Sequence, residues 1–267
     1  MSFRQTLKAA PTLFRVGFMQ SIAYRAEMFV WILSSTMPLV MLALFTAVAQ
    51  DGPLGRFVGA DFTAYFLATF VVRQYASSWT SWQINGEVRD GTLSMRLLRP
   101  VSPILSYAIE NLSYMPLRLV FAAPVTIIMV SVVGTDRLPQ HAVDWLMFGW
   151  SWACAWMLTF AVHTLMGTLS LYMEQSMKLM DVWFAGYLVF SGYLVPIELF
   201  PSGLQEVVQW LPFHGQIGLP VEVLLGVHTR AVASQWMVVQ AAWIVVIGGL
   251  AALSWRRGLK RFAAVGG

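Results

Sequence analysis

Charge is scarce in this 267-residue chain, yet Glu87, Arg89, Asp90, Arg96 and Arg99 crowd into one stretch, EVRDGTLSMRLLRPVSP, at residues 87–103. Such a set suits recognition rather than bond-breaking. The Arg-Asp-Gly-Thr element supplies a turn, with Asp90 as a hydrogen-bond acceptor and Gly91 free to adopt positive φ. LSMRLLRP then predicts one or two helical turns that offer Leu93, Leu97 and Leu98 as apolar contacts. Arg96 and Arg99 flank them, and Pro100 ends the helix. A short helix with an apolar ridge and mixed charges suits docking onto a soluble partner; a solvated loop between helices is the simpler alternative.

Elsewhere the residue types of catalysis are dispersed. None of Lys8, Lys178 and Lys260 lies in a GxxxxGK[ST] loop, so ATP phosphates have no cradle on this chain. There is no HExxH, and His141, His163, His214 and His228 stand singly, so neither a catalytic nor a metal site is expected. Cys154 is the only cysteine, which excludes an intramolecular disulfide and a cysteine metal cluster. Asp51, Asp61, Asp136, Asp144, Asp181, Glu174, Glu206 and Glu222 fall in loops or at the ends of apolar runs. Proton-coupled transporters place acids mid-membrane instead. His163 and Glu174 are the best pair left for an intramembrane enzyme, but eleven residues set them about three helical turns apart. Any energy source is expected on another chain.

The elements that carry these residues follow from composition. Hydrophobic residues make up 58% of the chain and charged ones 11%, with a mean hydropathy of +0.65, against about 25% charged in soluble domains. The chain therefore belongs in a membrane, and its net charge of +4 reads as Lys and Arg kept on the cytoplasmic side rather than as a nucleic-acid footprint. Six segments are long and apolar enough to span: 28–49, 62–82, 112–133, 143–168, 182–200 and 235–255. Arg and Lys concentrate in the N-terminal arm, the 83–111 loop and the tail, while the outer loops hold Arg56, Arg137 and Arg230, one each. Both termini and the 83–111 loop are thus expected in the cytoplasm. Residues 1–27 lack the apolar core of a cleaved signal peptide. Phe3, Leu7, Phe14 and Phe18, with Arg4, Lys8 and Arg15 one position on, predict an interfacial amphipathic helix that Pro11 kinks or divides. The 201–234 segment is apolar at helical spacing but broken by Pro212 and Pro220, predicting two short re-entrant outer helices. The expected fold is an all-α polytopic membrane protein forming one domain over residues 1–267.

Three charged residues enter the spans. Arg73 sits near the middle of the second, where an arginine costs roughly 2.5–3.5 kcal/mol. It either lines a substrate path and binds an anionic headgroup, or snorkels or pairs with a carbonyl or carboxylate of a neighbouring helix. Arg118 lies one turn into the third span, where snorkelling is easy. Glu198 stands between Pro196 and Pro201 near the outer end of the fifth, where it is expected to be hydrated rather than part of a site.

INGEVRDGTLSMRLLRPVSPILSYAIENL resembles the first cytoplasmic loop of type-2 ATP-binding-cassette (ABC) transporter permeases, in which Glu-x-x-x-Gly-Thr-Leu and a proline-ended turn form the coupling helix. FSGYLVPIELFPSGLQEVVQWLPFHGQ is similar to that family's Gly…Pro…Pro…Leu-Pro pattern before the last span, and RDGTLSxxLLRP resembles one subgroup of it. The resemblance implies the permease subunit of an ATP-driven exporter in a bacterial plasma membrane. Its partners would be a cytoplasmic P-loop ATPase in two copies, a second permease, identical or different, and membrane lipids. ATP and Mg would bind on the ATPase, with no cofactor on this chain. Glu87, Arg89, Asp90, Gly91, Thr92 and Arg96 become the implied docking residues. The implied substrate path runs between the second and fifth spans, with Arg73, Tyr75, Phe190 and Tyr193 as its wall. An aromatic wall suits a hydrophobic or amphiphilic cargo. An intramembrane lipid-modifying enzyme and a scaffold without transport are the alternatives.

Overall fold

The computed structural model describes residues 3–134 and 138–265. Asp136 and Arg137, counted above with the outer-loop charges, lie outside them, and the side chains of Phe3 and Arg4 are likewise not described. Among the described residues there are thirteen α-helices and no strand beyond one isolated bridge between Leu54 and Phe57. Three continuous helical stretches are long and apolar enough to cross a membrane: Pro103–Val133, Ala142–Leu171 and Arg230–Phe262. The other three expected spans are built from shorter pieces.

Helix α1 (Phe3–Ala23) runs unbroken through Pro11, against the expected division. It packs along α7 (Pro103–Ser113). The first expected span is two helices, α2 (Arg25–Ser34) and α3 (Met37–Val48). Pro38 has no N–H for the carbonyl of Ser34, and the Thr36 hydroxyl instead donates to the Leu33 carbonyl at 2.8 Å, so the chain turns there. The second expected span corresponds to α4 (Gly59–Tyr75), which is followed by a turn and then α5 (Thr80–Arg89). Hydroxyls make this break: Ser77 donates to the Gln74 carbonyl and the Thr80 amide donates to Ser78 Oγ, both at 3.3 Å. Arg73 is therefore in the last turn of α4, not mid-span. Helix α4 is buried on nearly every side, by α3, by α8 (Met115–Val133) and by α12 (Gly218–Leu224), which explains why its sequence is apolar all round.

Helix α9 (Ala142–Thr168) pairs lengthwise with α13 (Arg230–Val265). Apolar burial drives little association inside lipid, so close backbone approach and interhelical hydrogen bonds matter more. Gln240 of α13 donates to the carbonyls of Ser151 at 2.9 Å and Gly215 at 2.7 Å, and Tyr172 donates to the Ser254 carbonyl at 2.7 Å. On the other side, Gly167 lies so near α5 that a Cβ would come 3.0 Å from Ser81 Cα and Ile84 Cβ.

The fifth expected span corresponds to α10 (Ser176–Phe190), and the chain turns directly after it at Gly192, φ +83°. Tyr65 donates to the Gly192 carbonyl at 2.8 Å, and a Cβ there would come 2.5 Å from the Tyr65 hydroxyl oxygen. Two short helices follow in 201–234, as expected: α11 (Ser202–Trp210) shows Leu204, Val207 and Trp210 at its surface, while α12 is buried throughout.

Around α12 the outer charges are matched. Glu222 accepts from His214 Nε2 at 2.8 Å and His228 Nε2 at 3.0 Å, and Arg56 forms a two-pronged pair with Glu198, its Nη2 2.6 Å from Oε1. Burial pushes the Glu222 carboxyl up, but the two imidazoles outweigh it and hold the group below the carboxylate range. The bond to Glu222 raises His228 above 6.5, with burial opposing and Glu198 and Arg56 acting in opposite directions from nearby. A raised histidine contributes stability that is complete below its ordinary value and lost as pH climbs through the folded one. The purified chain is expected to lose thermal stability from pH 6.5 upward, and His228→Gln to flatten that slope. Melting across a pH series measures it; a wild-type curve no steeper than the variant's would contradict the assignment.

Candidate functional site

The 83–111 segment is a clasped structure rather than a solvated loop. Helix α5 closes at Asp90, Gly91 takes φ +72°, and the five-residue α6 (Leu93–Leu97) follows. The side-chain bond of this turn comes from Ser94, whose hydroxyl donates to the Gly91 carbonyl at 2.8 Å, instead of from Asp90. Leu93 is fully buried in a cluster with Ile84, Tyr107, Leu171 and Trp255, whereas Leu98 is 86% exposed. The apolar ridge expected on α6 is thus split between an inward anchor and an outward contact.

Arg96 organises the rest. Its guanidinium meets Glu87 of α5 at 2.6–3.0 Å and Glu110 of α7 at 2.8 and 3.2 Å, and Nη1 also donates to Ser106 Oγ at 2.9 Å. The Tyr107 ring lies under it, 4.1 Å from the guanidinium carbon, and the Tyr107 hydroxyl donates to Glu87 at 2.6 Å. Gln83 adds a bond to Glu110 at 2.7 Å. Burial alone would lower the Arg96 pKa, but Glu110 and Glu87 more than offset it, and the group stays charged. The side chains of Arg96, Glu87 and Glu110 are 12%, 17% and 18% exposed.

The six expected docking residues therefore separate. Glu87 and Arg96 are paired with each other inside the clasp. Arg89, Asp90, Gly91 and Thr92 are exposed beside Met95, Leu98 and Arg99. Sequence reasoning missed Tyr107 and Glu110. Their signal was available: Ser106, Tyr107 and Glu110 stand at i, i+1 and i+4, on one face of the helix.

The expected path residues separate as well. Arg73 stands over the rings of Tyr187 and Tyr193, 5.6 and 5.9 Å from their centroids, and the Tyr193 hydroxyl reaches the Ser35 carbonyl at 3.4 Å. Tyr75 is elsewhere, edge-on to Trp152 at 4.6 Å in the α4–α9 seam, and Phe190 leans on Phe213 at 6.2 Å; neither joins Arg73. Arg118 does not snorkel. It turns inward to the α4–α5 break, donating to the Gln74 carbonyl at 3.3 Å and to Ser77 Oγ, with Trp79 under it at 4.9 Å. Two arginines thus sit beside one break, and among the described residues neither has a carboxylate partner. Arg73 Nε is buried without any hydrogen bond. A cation–π contact returns about 0.5–2 kcal/mol, and both rings lie near the 6 Å limit of that effect; neither supplies an acceptor for the Arg73 Nε donor.

The enzyme constellation does not assemble. His163 is buried against Ser81 Oγ at 2.9 Å, while Glu174 is exposed. No group of three His, Cys, Asp or Glu side chains suited to a metal occurs among the described residues.

A family model described as ABC-2 family transporter protein matches residues 30–266. No curated protein matches the chain. The match takes in the clasp, both arginines and the outer cluster.

Removing the guanidinium leaves Glu87 and Glu110 facing a shared void with like charge. Arg96→Ala is expected to cost about 2–4 kcal/mol of stability, and Glu110→Gln, which keeps the Glu87 pair, about 1 kcal/mol. Unfolding of the purified variants in detergent measures both; an Arg96→Ala protein as stable as wild type would contradict the clasp.

Proposed function

The chain belongs to the ABC-2 transporter family, and from that premise we propose that it is the membrane subunit of an ATP-driven exporter of hydrophobic or amphiphilic molecules. Permeases of this family associate with an ATP-binding subunit. In this reading the exposed residues Arg89, Asp90, Gly91 and Thr92, with Met95 and Leu98, seat in a cleft of that ATPase. Two copies of the ATPase, carrying ATP and Mg, serve a pair of permeases, this chain with itself or with a different one. The complex lies in a bacterial plasma membrane with both termini of this chain in the cytoplasm.

The observation that carries the reading is the clasp. A five-residue helix is far too short to hold itself together, yet α6 is anchored by Leu93 and by Arg96 to α5 and α7 at once. A push on its outer face is therefore delivered to both helices. Helix α7 runs on into α8, and α8 grips the break between α4 and α5 through Arg118. Movement of the docking face in this way reaches the helices on both sides of Arg73. Docking affinity comes from the exposed residues, and transmission from the buried ones.

Tagged chain extracted in mild detergent is expected to retain a P-loop ATPase in stoichiometric amount. Reversing the exposed charge with Arg89→Glu should lower that retention about tenfold, the effect of 1.4 kcal/mol, without changing the melting temperature. Quantitative mass analysis of the captured proteins reads both. Equal capture by Arg89→Glu and wild type would contradict the docking face, and capture of no ATPase by wild type would contradict the transporter reading itself.

A further inference from the structure

The exporter reading leaves open what Arg73 holds, and the inference that follows rests on that reading. Arg73 has a buried Nε with no acceptor, two tyrosine rings beside it, and no carboxylate among the described residues. Arg118, bonded to the Gln74 carbonyl one residue from Arg73, adds a second positive charge already occupied by neutral acceptors. A guanidinium is built to take an oxyanion through two parallel N–H donors, and its charge persists at any physiological pH. An oxyanion would supply the acceptor that Arg73 Nε lacks.

The neighbourhood says what accompanies the anion. Tyr193, beside Arg73, reaches the Ser35 carbonyl at the break between α2 and α3. On either side of that break Val30, Leu33, Met37 and Val40 lie exposed on the surface of the chain. A charged receptor thus adjoins an open apolar strip that extends about one and a half helical turns to either side, a shape that matches a headgroup joined to a hydrocarbon tail.

We propose that Arg73, flanked by Tyr187 and Tyr193 and supported by the field of Arg118, binds the phosphate or carboxylate headgroup of an anionic amphiphile whose tail lies along α2 and α3. The substrate class narrows accordingly, from hydrophobic or amphiphilic molecules to those bearing an oxyanion. Tyr187, which sequence reasoning passed over, becomes part of the receptor, while Tyr75 and Phe190 drop out of it.

The test uses the full purified chain in detergent with phosphatidylglycerol and phosphatidylcholine supplied in equal amounts, and native mass spectrometry reads the ratio retained. Wild type is expected to favour phosphatidylglycerol. Arg73→Gln should lower the ratio about tenfold, as the loss of a charge-assisted bond predicts, and Arg73→Lys, which keeps the charge but not the paired donors, should fall between the two, separating lost charge from lost folding. Adding excess inorganic phosphate distinguishes the sources of the oxyanion. Displacement assigns the site to a free anion and retires the tail; persistence assigns it to the amphiphile. An unchanged ratio in Arg73→Gln, or a loss in Arg73→Lys as deep as in Arg73→Gln, overturns the proposal. Because lipid retention is read on the isolated chain, its failure is distinct from a failure to capture an ATPase.

Discussion

One guanidinium between two carboxylates sets the geometry on which the 83–111 segment of this protein depends. Arg96 belongs to a helix of five residues, and Glu87 and Glu110 belong to the helices before and after it. A helix that short gains almost nothing from its own hydrogen bonds. Its position is inherited from the clasp and from Leu93 in the core beneath. The cluster carries one positive and two negative charges; Tyr107 and Gln83 donate to the carboxylates, and Ser106 accepts from the guanidinium. Gln83 Oε1 aside, most polar capacity is thereby met, which favours a largely buried ion pair that orders a structure instead of weakening it.

Deeper in the chain the opposite arrangement holds. Arg118 is satisfied by a carbonyl, a hydroxyl and an indole face, whereas Arg73 has two phenol rings beside it and an Nε donor without an acceptor. Clasp and arginine pair are joined through the same elements, since α5 ends at the first and begins at the break beside the second. A permease that must couple docking at one surface to an event inside the bundle needs such a connection. The outer side is closed by different means: α12 is packed among α4, α9 and α13 with its one carboxylate held by two histidines.

Much of this was legible in the sequence. The long apolar stretches behind α8, α9 and α13 announce themselves by hydropathy, and residues 201–234 by their prolines. Gly91 was readable as a positive-φ position because a turn between two helices demands one. What escaped was set by local hydroxyl chemistry and by tertiary pairing. Ser35–Thr36 and Ser77–Thr80 break two expected spans by bonding to their own backbone, and hydropathy scores these residues as nearly neutral. Pro11 erred the other way: a helix held along its length against α7 continued through a residue that would end a free one. Glu87 and Arg96 looked like surface charges because their second partner, Glu110, lies fourteen residues beyond Arg96. Aromatic residues were the least informative, as Tyr75, Phe190 and Tyr193 read alike in an oily chain and only rotation about the helix axis separates them.

The central claim is that Arg96 holds the docking helix in place before any partner arrives, and backbone exchange measures that directly. In the isolated chain the amides of Met95, Arg96 and Leu98 bond to the carbonyls of Thr92 and Ser94. Hydrogen–deuterium exchange on wild type and Arg96→Gln in the same lipid nanodiscs compares the 93–98 segment with α9 and α13. The account predicts protection of 93–98 in wild type and exchange at least about tenfold faster there in the variant, with α9 and α13 unchanged. Equal exchange of 93–98 in the two proteins would contradict it.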